Sequence, residues 1–136
     1  MNKITVESII NADIEKVWKY WTEPAHIQNW NAASEDWHCP HAENDLVAGG
    51  KFRFTMASKD GSMSFDFEGI YDQVVIQKHI SYTLGDGRQV RIEFIQEGPR
   101  TKVIEEFDPE TINSIELQKS GWQVILDHFK NYTEAH

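Results

Sequence analysis

The stretch that decides the fold runs from Phe107 to Glu134, "FDPETINSIELQKSGWQVILDHFKNYTE". It opens with the grammar of a helix start. Asp108 is a capping residue, Pro109 suits the first helical position, and Glu110 complements the dipole at the second. Ile115, Gln118, Trp122, Ile125, Phe129 and Tyr132 then recur at intervals of three and four. That spacing puts them on one stripe of a helix, which must lie against a core. Counted from Thr111 to Glu134, the helix would be about 36 Å long. Gly121 inside it costs roughly 1 kcal/mol against Ala, and close packing is the usual reason to keep such a glycine.

The chain before this helix supplies what it covers. From Trp37 to Asp108 the pattern is strands and turns. "GGKFRFTMAS" puts Phe52, Phe54 and Met56 on one face and Arg53 and Thr55 on the other. Asp60-Gly61 is a hairpin signal, and "SFDFEGIY" then sets Phe65, Phe67 and Gly69 together, with Asp66 and Glu68 outward. "HISYTL" aligns Ile80, Tyr82 and Leu84. Asp86-Gly87 turns the chain into Val90, Ile92 and Phe94, and Gly98-Pro99 turns it again into "TKVIEEF". The expected arrangement is an antiparallel meander of about six strands.

The first residues add a strand and two helices. "KITVESII" alternates Ile4, Val6, Ser8 and Ile10 against Thr5, Glu7 and Ile9. In "NADIEKVWKYW" the period changes, and Ile14, Val17, Trp18 and Trp21 share one helical face, with Asn11 or Asp13 as cap. Trp18 and Trp21 read as plain core anchors. "TEPAHIQNW" reads as a second short helix capped by Thr22, with Pro24 in its first turn and Ile27 and Trp30 on one face.

Composition narrows the function classes. A chain of 136 residues is expected to form a single domain over 1–136 with a sizeable core. The formal net charge of −9 argues against a nucleic-acid backbone and against anionic membrane as partners. No apolar run approaches the roughly 18 residues of a membrane span, and the N-terminus carries no signal-peptide block. A single cysteine forms no internal disulfide, which suits a cytoplasmic location. There is no G-x-S-x-G elbow, no P-loop and no dinucleotide glycine motif.

Strand, helix, helix, meander and long helix together make an α+β architecture in which one helix covers a curved antiparallel sheet. Its inward side chains are large and aromatic, while the helix is a single cylinder. That geometry tends to leave a hollow. The segments "NADIEKVWKYWTEPAHIQNW", "DLVAGGKFRF", "DGSMSFDFEGIYDQVV", "ISYTL" and "GWQVILDHFKNYTE" resemble bacterial proteins grouped with the C-terminal domain of the activator of heat-shock protein 90 ATPase (AHSA-like). Those proteins belong to the START-like (SRPBCC) superfamily. The resemblance covers nearly the whole chain. It implies a helix-grip fold, as in Bet v-like proteins, and a hydrophobic small molecule held between helix and sheet. It also raises a chaperone partner, although the separate N-terminal domain of the eukaryotic activator is not in this chain. No cofactor is implied, and a homodimer is compatible with the pattern.

The candidate cavity residues follow from the inward faces. Phe54, Phe65, Phe67, Tyr82 and Ile92 should face the helix, as should Trp122 from the helix itself. Trp30 and Trp37 flank the entry into the sheet, where a cavity mouth would lie. Two polar residues interrupt apolar faces. Gln118 breaks the helix stripe, and Glu105 lies between Val103 and Phe107 in strand parity. Each is either a bonded core group or a ligand-orienting one, and a buried Glu105 would need a partner or carry a raised pKa. Glu105 and Tyr82 are also the acid–base pair that a cavity enzyme would use.

"SEDWHCPHAEND", residues 34–45, places His38, Cys39 and His41 close together. Zinc needs side chains that converge, and these are too crowded to form a tetrahedron. Acidic neighbours oppose a Cys39 thiolate. The expectation is a rim segment without metal, with Trp37 inward and His38 or Cys39 partly exposed.

Overall fold

The computed structural model describes residues 3–136. Met1 and Asn2, the first two residues of the N-terminal alternation, lie outside the described residues. The strands are β1 (Ile4–Ile10), β2 (Trp37–Asn44), β3 (Lys51–Ser58), β4 (Ser64–Val75), β5 (His79–Leu84), β6 (Gln89–Glu97) and β7 (Arg100–Phe107). The helices are α1 (Ile14–Thr22), α2 (Pro24–Trp30) and α3 (Ile115–Ala135). No helix among the described residues is long and apolar enough to cross a membrane.

The strands form one antiparallel sheet in the order β1-β7-β6-β5-β4-β3-β2. The six strands β2 to β7 are a pure meander, and β1 joins beside the last of them. Thus β1 and β2 are the two edges, and the chain between them must cross the whole sheet. It crosses as α1 and α2, which close one end of the concave side. The sheet curves as a half-barrel around α3, the helix-grip architecture expected from the pattern.

Period-two alternation sets the inner face. Along β5 and β6, Ile80, Tyr82, Leu84, Val90, Ile92 and Phe94 are all buried. Each full burial of such a side chain contributes about 1.5–3 kcal/mol. Gly69 sits on that face of β4 for a steric reason. A Cβ there would lie 2.7 Å from the Thr83 carbonyl oxygen and 3.0 Å from the Phe52 ring. The glycine is the gap into which Phe52 fits. At the hairpins, Gly61 (φ +79°) and Gly87 (φ +93°) take the left-handed conformation that a side chain disfavours.

Helix boundaries depart from the pattern in two places. Thr22 does not cap α2. It is the last residue of α1, and its hydroxyl donates to the Trp18 carbonyl at 2.8 Å. Glu23 occupies the cap position without a side-chain bond. Further along, α3 begins at Ile115, not at Pro109. Its cap is Ser114, whose hydroxyl accepts from Leu117 N at 3.1 Å. Asp108 instead ties down the other side of the strand. One carboxylate oxygen accepts from Lys3 Nζ at 2.6 Å and the other from Gln89 N at 2.9 Å. The helix of 21 residues is therefore about 31 Å long.

The stripe of α3 also shifts. Leu126, Phe129 and Thr133 are fully buried, whereas Ile115 is 52% exposed. Gly121 has nothing within 4 Å of where a Cβ would sit, so close packing does not explain it.

Candidate functional site

A cavity of about 230 Å³ lies between α3 and the concave face of the sheet. It exceeds the roughly 150 Å³ of an engineered apolar cavity that admits benzene. Phe52, Phe54 and Met56 from β3 form one wall, and Phe65, Phe67 and Tyr71 from β4 continue it. Ile80, Tyr82, Ile92 and Glu105 form the floor. Trp122 and Ile125 roof it from α3, and Trp21, Thr22, Trp30 and Asn31 close the end beneath α1 and α2. Phe65, 55% exposed, marks the mouth.

The aromatic walls are braced by one another. The Phe107 and Trp122 rings stack with centroids 3.8 Å apart and planes at 13°. Trp122 also meets Phe67 edge-on at 6.2 Å. Phe52 touches Phe54, Phe67, Tyr71 and Tyr82 at centroid distances of 4.7–6.0 Å. Such pairs are worth about 0.5–1.5 kcal/mol each beyond their buried area, so the walls are stiff although they enclose space.

Several polar groups of the cavity wall are satisfied by protein. Tyr71 Oη donates to Asn44 Oδ1 at 2.5 Å, and Asn44 Nδ2 donates to the Thr22 carbonyl at 2.7 Å. Trp30 spends its indole N–H on the Tyr20 carbonyl at 2.9 Å. Glu105 is different. It is only 5% exposed, and its cross-strand neighbours Val6 and Ile92 are both buried and apolar. Burial pushes its carboxyl up to about 8, and among the described residues no hydrogen bond or charge offsets that. At pH 7 the group is therefore mostly neutral. Burial, then the nearby Glu105 charge, raises the Tyr82 phenol well above its ordinary value.

Eight of the ten residues singled out in the sequence meet at this cavity: Trp30, Phe54, Phe65, Phe67, Tyr82, Ile92, Glu105 and Trp122. Trp30 is buried at the closed end, not at the mouth. Trp37 is not in the wall. It stands on the rim with its ring 5.9 Å from that of Phe65. Gln118 is not in the wall either. Its Oε1 accepts from Glu110 N at 2.9 Å, and its Nε2 donates to the Glu110 and Asn113 carbonyls at 3.1 and 2.9 Å. It is a buried staple that holds the turn before α3, because that turn leaves backbone groups needing partners.

Pattern reading missed Trp21, which lines the cavity as well as packing on Phe94 and Phe129. A helical stripe does not separate core from cavity wall. It also missed Tyr71 and Asn44. Phe52, Met56 and Ile80 share strand parity with the chosen residues and were available from that signal alone.

The segment from Trp37 to His41 opens strand β2, whose pairing with β3 shifts register between His38 and His41. Of the two residues either of which was expected to be open, His38 is exposed and Cys39 is buried at 3% exposure. Burial pushes the Cys39 thiol up to about 11, and its Sγ–H donates to the His41 carbonyl at 3.4 Å. A thiol so shifted is no nucleophile near neutral pH. His41 turns outward to Glu43 at 3.0 Å. Among the described residues, no group of three or more His, Cys, Asp or Glu side chains is placed to hold a metal ion.

Among curated proteins, none matches the chain. Solved structures do. A protein of Cytophaga hutchinsonii, Chr148, is 62% identical, with 99% of this chain and 94% of that one covered and a TM-score of 0.86. The AHSA1-like protein of Aeromonas hydrophila is 47% identical, with 98% and 92% covered and a TM-score of 0.93. A Staphylococcus aureus protein of unknown function, 20% identical with 98% and 93% covered and a TM-score of 0.75, shares the fold. The family model described as activator of Hsp90 ATPase homolog 1-like protein matches residues 11–134, and the chain belongs to that family.

Proposed function

We propose that this protein binds a small hydrophobic or amphipathic molecule in the cavity between α3 and the sheet. The observation that carries this reading is the hollow itself. A space of about 230 Å³ persists inside walls that are otherwise stiffly packed. Leaving such a space costs stability in proportion to its volume, which a bound molecule recovers. The test uses intrinsic fluorescence, because Trp21, Trp30 and Trp122, three of the five tryptophans, line the cavity. Titration with a panel of arylalkyl amines, fatty acids, flavonoids and aromatic polyketides should give saturable quenching for at least one class, with a matching rise in melting temperature. Ile92→Trp, which fills the floor, should weaken that binding in a protein that still folds. No saturation with any class would end the reading.

Ile112, Ile115 and Leu117, at 88%, 52% and 59% exposure, favour a second reading, a protein-interaction module with a chaperone as partner. Stimulation of a heat-shock protein 90 ATPase, lost on changing these three to Ser, would support it. An unchanged ATPase rate would dismiss it.

A further inference from the structure

The cavity's polar groups narrow the ligand further, an inference that rests on the binding reading above. Nine of its wall residues are Trp, Phe or Tyr. Among the described residues, no Lys, Arg or His lines it. Its titratable groups are Tyr71 on β4, Tyr82 on β5 and Glu105 on β7; the parts of β2, β3, β6, α1, α2 and α3 that face it carry none. Tyr71 is already engaged by Asn44. Glu105 is thus a buried carboxyl with no cation among the residues that line its cavity, and the other walls of that cavity are mainly aromatic.

The geometry points to an organic cation as the ligand: an amine on an apolar or aromatic body, its ammonium paired with Glu105 and its body enclosed by the aromatic walls. Three physical facts converge on this. An ion pair completed inside an apolar site removes the isolated charge that makes Glu105 costly to ionise. Aromatic faces attract cations and partly replace the hydration that an ammonium loses. The net charge of −9 raises the local concentration of cations around the protein and repels carboxylates. An anionic ligand would meet only Glu105 and two phenols, with no cation to receive it.

Binding of an ammonium must ionise Glu105. Since the empty site holds its proton up to about pH 8, binding below that pH releases a proton, and affinity must rise with pH. A neutral carbonyl ligand would accept from the protonated carboxyl and show the opposite trend. The test compares 4-phenylbutylamine with its neutral isostere 4-phenylbutanol by calorimetry between pH 6 and 9. The amine should bind at least tenfold tighter at pH 8. Its affinity should climb by up to about tenfold per pH unit below 8 and level off above. Titrations in two buffers of different ionisation enthalpy should report release of a proton. Glu105→Gln should erase the preference for the amine, and an unchanged circular-dichroism spectrum with a cooperative melt shows that the variant folds. Alcohol binding as tight as amine binding, or a preference that survives Glu105→Gln, would overturn the cation assignment and leave the cavity reading standing. Failure of the amine to bind while another class saturates the cavity would overturn the cation assignment alone, and saturation by no compound of any class would sink both.

Discussion

The two halves of α3 meet the sheet in opposite ways. Its C-terminal half lays Leu126, Phe129 and Thr133, all fully buried, against a packed end. There Trp21 and Trp30 meet the Phe129 ring edge-on at 4.7 and 5.0 Å. Its N-terminal half leaves Ile115 and Leu117 in solvent and roofs a hollow with half-buried Trp122. The difference comes from what crosses between the edge strands. α1 and α2 fill one end of the grip, and nothing equivalent fills the other. A single helix suffices to seal a sheet only where a second layer helps it, so stability concentrates at one end and space at the other.

The largest expected effect tests the packed half. Phe129→Ala should destabilise by about 3–5 kcal/mol, since it opens a sealed void among aromatic rings. Denaturant titration reads this as a fall in midpoint with little change in slope. A loss below that of Trp122→Ala would break the comparison.

Next is Glu105, with the opposite sign. It is an acid whose folded-state value, about 8, lies above its ordinary 4.5. Below about pH 4.5 it is protonated in both states and costs nothing. Between about 4.5 and 8 the unfolded chain ionises first, so stability falls as pH rises. Glu105→Gln should therefore stabilise by about 3 kcal/mol at pH 7, with the gain vanishing near pH 4. Melting curves across that range check it. A gain independent of pH would mean that the carboxyl is not buried as described.

Trp122→Ala should cost less than Phe129→Ala, about 2 kcal/mol, because the residue roofs a space that already exists. The smallest effect belongs to Gly121→Ala. With open room at its Cβ and a helical position, it should stabilise by up to about 1 kcal/mol. A loss instead would reveal a close neighbour on that face.

How much of this was legible in the sequence follows from the range of each signal. The strands were legible because Phe52, Phe54 and Met56, or Ile80, Tyr82 and Leu84, repeat with a period that only a half-buried strand needs. Eight cavity residues followed from that parity together with the helix stripe and the position of Trp30. Helix boundaries were less legible, since Asp108-Pro109 and Ser114 both satisfy the local rules of a helix start. Tertiary contacts of Asp108 with Lys3 and Gln89 decided between them, and local pattern does not carry those. Gln118 was visible as a polar break, but its partners are backbone groups of Glu110 and Asn113, which carry no side-chain signature. Trp37 illustrates the same limit. The register shift between His38 and His41 decouples the start of β2 from the inward parity of Ala42 and Asn44.

Whether the hollow between α3 and the sheet is open space is tested most directly with xenon. Crystals held under moderate xenon pressure should show a bound xenon atom in the space bounded by Phe52, Phe67, Tyr82 and Ile92, because dry apolar cavities admit xenon readily. Collapse of Trp122 and Phe67 into that space, with no xenon density, would contradict it.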